Sequence, residues 1–320
     1  MSAFAGPLLV LLFTLSQAFR DVFFGNVFQR LNFFAVILLA FVLSTVIFGL
    51  VTLIRGPHNF AKFRGHLKTV LVANVTTATA WTCFFFALTN LDPAICNTIH
   101  CAMGPLTVVV LGARGVALAQ PGVIGRVEYA CYAGIAASVV ALWCIVVSGY
   151  SGLPVKNLTA SVTGLALLSV SGVSITVSLL YCKRLQDHGV AADALTAVRY
   201  LALILLAAIV APWNGQLGGA ETAWQLAILL LATITLIILP LYVFQLGIGR
   251  TSPLTAQVIK ALGPVFVFAM EQLDGRVHYS ALTLMCILIY SGSVVLSNVA
   301  HCWYSQQGQF ILSEERTSLR

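Results

Sequence analysis

The sequence predicts an all-α integral membrane protein of ten transmembrane helices, arranged as two inverted five-helix repeats. Three observations carry this expectation. The chain is 59% hydrophobic and 8% charged, with a mean hydropathy of +0.96, whereas a soluble domain carries about 25% charged residues. Apolar runs of about 20 residues, the length that crosses a bilayer, recur from one end of the chain to the other. One stretch also occurs twice. Residues 85–110, FFALTNLDPAICNTIHCAMGPLTVVV, and residues 244–269, FQLGIGRTSPLTAQVIKALGPVFVFA, place Gly104-Pro105 and Gly263-Pro264 in matching positions, about half a chain apart. Two hydrophobic halves interrupted at corresponding places point to a site between the repeats.

The ten expected spans are 4–24, 32–54, 69–90, 94–113, 127–149, 160–182, 192–212, 223–246, 252–272 and 279–303. The first has no basic segment before it and no small-residue cleavage site, so it reads as a retained span rather than a signal peptide. Gly56-Pro57, Pro121-Gly122 and Asn214-Gly215 punctuate the turns. Residues 1–150 form the first repeat, 151–305 the second and 306–320 a cytoplasmic tail.

Basic residues set the orientation. With the N-terminus inside, Arg55, Lys62, Arg64, Lys68, Arg114, Arg126, Lys183, Arg184 and Arg250 gather in cytoplasmic loops, and Arg316 and Arg320 in the tail. Arg30, Lys156 and Arg276 are left outside, the asymmetry of the positive-inside rule. Both termini are then cytoplasmic. Five spans per half is an odd number, so the halves must lie in the membrane with opposite topology. The net charge of +7 reports these loops and gives no reason to expect a nucleic-acid partner. The eight cysteines lie mostly within apolar runs without CxxC spacing, which suits small packing residues rather than metal ligands.

Taken in order, the spans carry polar residues that hydrocarbon would reject. In the first, Phe13, Ser16, Gln17, Arg20 and Phe24 share a face, with Asp21 at its edge. Arg20 either grips a carboxylate or snorkels to water. In the third, Asn74, Thr77, Trp81 and Phe85 form a stripe, and a mid-span Trp is no interfacial anchor. In the fourth, Asn97, His100, Cys101 and Gly104 cluster. His100 is a candidate proton carrier, or a histidine bonded to a neighbouring helix. In the sixth, Ser171, Ser174 and Ser178 suit helix packing. Arg199 in the seventh is read as structural, pairing with Asp193 or snorkelling. The eighth is interrupted by Pro240, with Tyr242 and Gln245 following.

The ninth span carries the residue hardest to explain away. Lys260 falls on one face with Gln257, Pro264, Val267 and Glu271, and an intramembrane ammonium marks a functional site by default. Its structural alternative is an ion pair, with Asp21 a candidate partner. Glu271 and Asp274 are expected at the outer mouth of this helix. Small-residue runs at Gly134–Ser138 and Ser291–Ser293 suit helix contacts or a homodimer. Candidate substrate-binding residues are therefore Gln17, Arg20, Asn74, Trp81, His100, Tyr242, Gln245, Gln257 and Lys260, with helix breaks at Pro105, Pro240 and Pro264.

The five-plus-five organisation and the turn-helix segment TSPLTAQVIKALGPVF, Thr251–Phe266, with its weaker copy LDPAICNTIHCAMGPL, Leu91–Leu106, resemble the drug/metabolite transporter superfamily in its ten-helix EamA-like branch. The resemblance covers nearly the whole chain. It implies a central cavity between the halves and alternating access across the inner or plasma membrane. The Ser-Pro-Leu-Thr run followed by a lysine is also similar to the triose-phosphate and nucleotide-sugar branch, although there the lysine lies further along the helix.

The expected function is a secondary transporter of a small organic metabolite. The cationic residues favour a carboxylate-bearing or zwitterionic substrate such as an amino acid, its amino group met by Asp21 or Glu271. Coupling to protons or another ion is compatible with this reading. The alternatives are a sugar-phosphate or nucleotide-sugar transporter and, from another class, an integral membrane lipid-modifying enzyme. The enzyme reading lacks a clustered metal or acid–base motif and has short loops. No phosphate-binding loop is present to suggest ATP drive, and no cofactor is expected.

Overall fold

The computed structural model describes residues 4–27, 33–116, 125–153, 157–211, 223–251, 253–275 and 277–318. Among them every regular element is helical. The turns at Pro121-Gly122 and Asn214-Gly215, and Arg30, Lys156, Arg276 and Arg320, lie outside the described residues.

The apolar runs fold as helices because a buried or lipid-facing backbone must satisfy its own hydrogen bonds. We label them α1 (Ala5–Val27), α2 (Phe33–Arg55), α3 (Leu67–Leu88), α4 (Pro93–Ala113), α5 (Arg126–Val147) and α6 (Leu158–Asp187). The seventh run is divided into α7a (Ala192–Val198) and α7b (Leu201–Val210). The eighth, α8, runs from Ala223–Thr233 through a π-helical turn at Ile234–Ile238 into Leu239–Ile248. The ninth consists of α9a (Pro253–Ala261) and α9b (Gly263–Asp274), and α10 runs Ala281–Ser318. Nine helical stretches among the described residues are long and apolar enough to cross a membrane. This is the pattern of a multi-pass membrane protein. The expected span 252–272, described as two pieces, is not among the nine, whereas the seventh run, also divided, is. The helix of α10 continues through 306–318, the segment expected as a tail.

The three expected proline breaks come out differently. Pro264 has no N–H to return to the carbonyl of Lys260, and the helix parts at Leu262, whose N–H turns back to Ile259 at 3.2 Å. Ser291 of α10 donates to the Ala261 carbonyl beside the break at 2.7 Å. Pro240 is preceded by the π-helical turn, in which the Leu239 N–H reaches Ile234. Pro105 does not break its helix, since α4 is continuous from Pro93 to Ala113. The expectation of a break there is corrected. A break also occurs where no proline stands, at Arg199–Tyr200. Asn74 of α3 serves that break directly, its Oδ1 accepting the Ala202 N–H at 3.2 Å at the start of α7b.

The bundle has an apolar exterior and polar residues within. Leu12, Phe19, Val46, Leu50, Leu205 and Leu288 are exposed, while Arg20, Asp21, Asn97, Thr77, Ser178, Arg199 and Glu271 are buried. This is the arrangement expected when the surrounding solvent is hydrocarbon. The main pairings are α3 with α6, α5 with α10, α2 with both parts of α7, α1 with the end of α8 and with α9, and α4 with α6 and α9b. At the α4–α6 contact Gly172 lets the backbones approach closely. A Cβ there would lie 2.5 Å from the His100 carbonyl and 2.5 Å from the Met103 Cβ.

Candidate functional site

Where α1, α3, α4, α6, α7, α8 and α9a converge they enclose a cavity of about 40 Å³, room for about three waters. Its walls include Gln17, Arg20, Trp81, His100, Arg199 and Lys260, with Phe13, Phe84 and Phe244 supplying apolar surface. Phe13 and Phe244 stack at 4.1 Å and bring α1 and α8 together beside it. A second cavity, about 160 Å³, adjoins the first and shares Leu179, Phe244 and Lys260 with it. Gly104, Pro105, Thr176, Lys183 and Thr251 also line this larger space. Lys260 therefore stands at the junction between the two.

Three cations face the central cavity, in unlike surroundings. Arg20 is neutralised locally. Its Nε and Nη2 donate to Asp21 Oδ1 at 2.8 and 2.6 Å, while Asn97 Nδ2 donates to Asp21 Oδ2 at 2.7 Å. The same guanidinium lies over Trp81 at 5.0 Å and Phe84 at 5.8 Å, a favourable place for a planar cation. Asp21 is thus the partner of Arg20 and not, as the sequence allowed, of Lys260.

Arg199 is held without a carboxylate among the described residues. Its Nε donates to Thr77 Oγ1 at 3.0 Å, and its guanidinium lies 5.7 Å from the Tyr200 ring centre. Thr77 Oγ1 and Ser178 Oγ are 2.6 Å apart, and Ser178 Oγ donates to the Ala73 carbonyl at 3.1 Å. One proton ordering satisfies the whole chain: Arg199 to Thr77, Thr77 to Ser178, Ser178 to Ala73. Asp193, expected beside Arg199, lies instead 3.8 Å from Arg55. Lys260 has no carboxylate within ion-pair distance among the described residues, and its Nζ is 5.4 Å from the Phe244 ring centre.

His100 is bonded to a neighbouring helix. Its Nδ1 lies 2.9 Å from Ser171 Oγ, and Ser171 donates its single hydroxyl proton to the Ala80 carbonyl at 2.7 Å. Ser171 must therefore accept from His100, which puts a proton on Nδ1. In the neutral ring this leaves Nε2 as an acceptor. Trp81 Nε1–H is buried without an acceptor among the described residues.

Of the expected substrate-binding residues, the cavity brings together Gln17, Arg20, Trp81, His100 and Lys260. Asn74 lies apart, capping α7b. Tyr242 lies near Arg55, its hydroxyl 3.4 Å from Nη1, and stacks on Phe48 at 4.7 Å. Gln245 is buried against Gln186 at 3.4 Å. The Gln257 side chain is outside the described residues. Glu271, expected at an outer mouth, is buried. Its Oε1 accepts the Ala94 N–H at 2.6 Å, beside Asp92, whose Oδ1 accepts the same N–H at 2.9 Å. Asp274 is exposed. Sequence reasoning noticed Arg199 and gave it a structural role. The available signal was its charge in the interior of an apolar run.

No family model and no curated protein matches this chain. A solved structure described only as the crystal structure of a protein is similar to it, with a TM-score of 0.62 at 17% identity, covering 94% of this chain and 96% of its own. At that identity the likeness speaks for the fold alone.

Proposed function

We propose that this protein is a secondary transporter of the ten-helix drug/metabolite type, moving a small acidic metabolite by alternating access between two inverted halves in an inner or plasma membrane, with both termini cytoplasmic. The observation that carries the proposal is the central cavity. It is enclosed by helices of both halves, holds two cations with no carboxylate beside them among the described residues, and adjoins a larger space across Lys260. Arg199 is buried and Lys260 half-buried, and a buried ion without a counter-charge is costly to keep for structure alone.

The helix pairings support the two-half reading. Exchanging each helix with the one five places away maps α3–α6 onto α8–α1 and α4–α6 onto α9–α1. It returns α2–α7, α5–α10 and α4–α9 to themselves. Interrupted helices beside the cavity agree with a site built where backbone is irregular. A volume near 40 Å³ is too small for an organic metabolite, so the central space must widen on loading. We read the larger cavity, which Lys183 helps line, as the cytoplasmic approach.

The test is counterflow of labelled organic anions into liposomes carrying the purified protein. Protein-dependent exchange supports the proposal. Absence of exchange across mono- and dianionic solutes, with the protein folded in the membrane, overturns it.

A further inference from the structure

We infer that the solute is a small organic dianion, a phosphate monoester or a dicarboxylate, that bridges Lys260 and Arg199, and that Arg199 is a specificity-determining residue. The inference rests on the transporter reading and narrows its substrate.

Arg20, Arg199 and Lys260 all line the central cavity. Asp21 compensates Arg20 and is occupied further by Asn97. The remaining two charges have no acid in reach among the described residues. When the site closes and water leaves, a monoanion would still leave one of them uncompensated. A zwitterion would contribute no net charge, and no carboxylate remains in the cavity for its amino group. Asp21 is engaged and Glu271 is bonded to Ala94. A dianion neutralises both cations at once.

The hydrogen-bonding groups of the cavity favour the same ligand. The cavity is rich in donors and poor in acceptors. Arg199 uses Nε on Thr77, and its terminal nitrogens have no assigned acceptor. Among the described residues Lys260 has three N–H groups and no acceptor, and Trp81 Nε1–H is buried without one. A phosphate or a pair of carboxylates brings several acceptor oxygens, and a guanidinium fork suits either. His100 Nε2, the acceptor in the neutral ring, fits a hydroxyl on the same solute. Phe13, Phe84 and Phe244 leave an apolar wall for its carbon skeleton.

The two cations also come from different elements. Arg199 stands at the α7 break, clamped through Thr77 to α3 and through Ser178 to α6. Lys260 stands beside the α9 break. A solute touching both is held between two interrupted helices, where closure can be sensed.

The experiment measures thermal stabilisation of the full-length purified protein by glycerol phosphate, succinate, butyrate and alanine, together with inorganic phosphate and sulfate as bare anions. Binding to the native state raises the melting temperature with ligand concentration. One or both organic dianions should act at concentrations at least ~10-fold below butyrate and alanine, a difference of one decade in dissociation constant. The more effective dianion identifies the phosphate or the dicarboxylate as the source. Arg199→Gln and Lys260→Gln should each reduce the preference for dianion over monoanion to near unity, and Arg199→Lys should retain part of it. Equal binding of butyrate and dianions by the wild type overturns the inference without any variant, as does an Arg199→Gln protein that keeps the preference. Stabilisation by inorganic anions alone also overturns it. Labelled counterflow separates this from the wider proposal. Exchange of a monoanion with no dianion preference leaves transport standing and removes the dianion. Dianion binding without exchange keeps the site and removes transport.

Discussion

Arg199 Nε donates to Thr77 Oγ1 across 3.0 Å, so that a cation at the break of α7 is oriented by a hydroxyl of α3. Among the described residues the bond has no carboxylate behind it. It fixes the position of the charge without neutralising it, which is what a binding group requires and a structural ion pair would not supply.

Replacing Thr77 by Val keeps the volume and removes the hydroxyl. The chain from Arg199 to the Ala73 carbonyl is then cut, and a bond to a charged group is worth about 1.5–3 kcal/mol. A lower melting temperature and a weakened solute affinity are expected together, with Thr77→Ser restoring both. Thermal unfolding in detergent and liposome exchange check this.

Lys260→Ala should reduce dianion binding to the monoanion level and abolish exchange while leaving a folded protein. No acid is stranded by the change, because Asp21 belongs to Arg20. The melting temperature without solute should therefore be unchanged or higher. Lys260→Arg keeps the charge and alters the shape, so reduced exchange is expected rather than none.

Asp21→Ala should behave in the opposite way. Arg20 is buried and loses its compensating charge, and Asn97 loses its acceptor. Breaking a buried pair in this way costs about 3–5 kcal/mol. Expression and melting temperature should fall before any transport assay is meaningful. Size-exclusion profiles of the two alanine variants, side by side, make the comparison.

Asp92 provides a pH dependence outside the spans. Burial raises its carboxyl above the usual 3.8, against the lowering influence of Glu271 and of the Ala94 and Ile95 N–H groups. Between the unfolded and the raised folded value the native state binds more protons than the unfolded chain. Stability from this group is therefore full below 3.8 and lost as pH rises through the folded value. Asp92→Asn keeps an oxygen for the Ala94 cap and removes the titration. Melting curves across acidic to neutral pH should be flatter for this variant.

Gly172→Ala tests the closest helix approach. The added methyl meets the His100 carbonyl and the Met103 Cβ, both 2.5 Å away, and α4 and α6 must separate. Such overpacking costs about 1–3 kcal/mol, and it displaces His100 from Ser171. Reduced melting temperature and impaired exchange are expected together.

Much of the fold is legible locally. A run of about 20 apolar residues has few alternatives to a membrane helix, so most spans follow from hydropathy. Lys260 announces itself by the cost of an ammonium in hydrocarbon, and Gln17, Arg20, Trp81 and His100 by their place on polar stripes. Less is legible where two helices must meet. The Gly-Pro pairs at 104–105 and 263–264 look alike, yet α4 stays continuous and α9 is divided. At the α9 break the Ala261 carbonyl is served by Ser291 of another helix, and no local dipeptide reveals that partner.

Composition and periodicity by themselves determined an all-helical, multi-pass architecture and the inward direction of its polar residues, because hydrocarbon penalises each exposed backbone and charged group one residue at a time. Only the tertiary structure decided that Asp21 serves Arg20, that Asn74 caps a helix instead of facing the cavity, and that Arg199 joins Lys260 there with no counter-ion among the described residues. Those outcomes depend on distances of a few ångströms between residues far apart in the chain, and pairing energies that fall off over such distances leave no trace in sequence spacing.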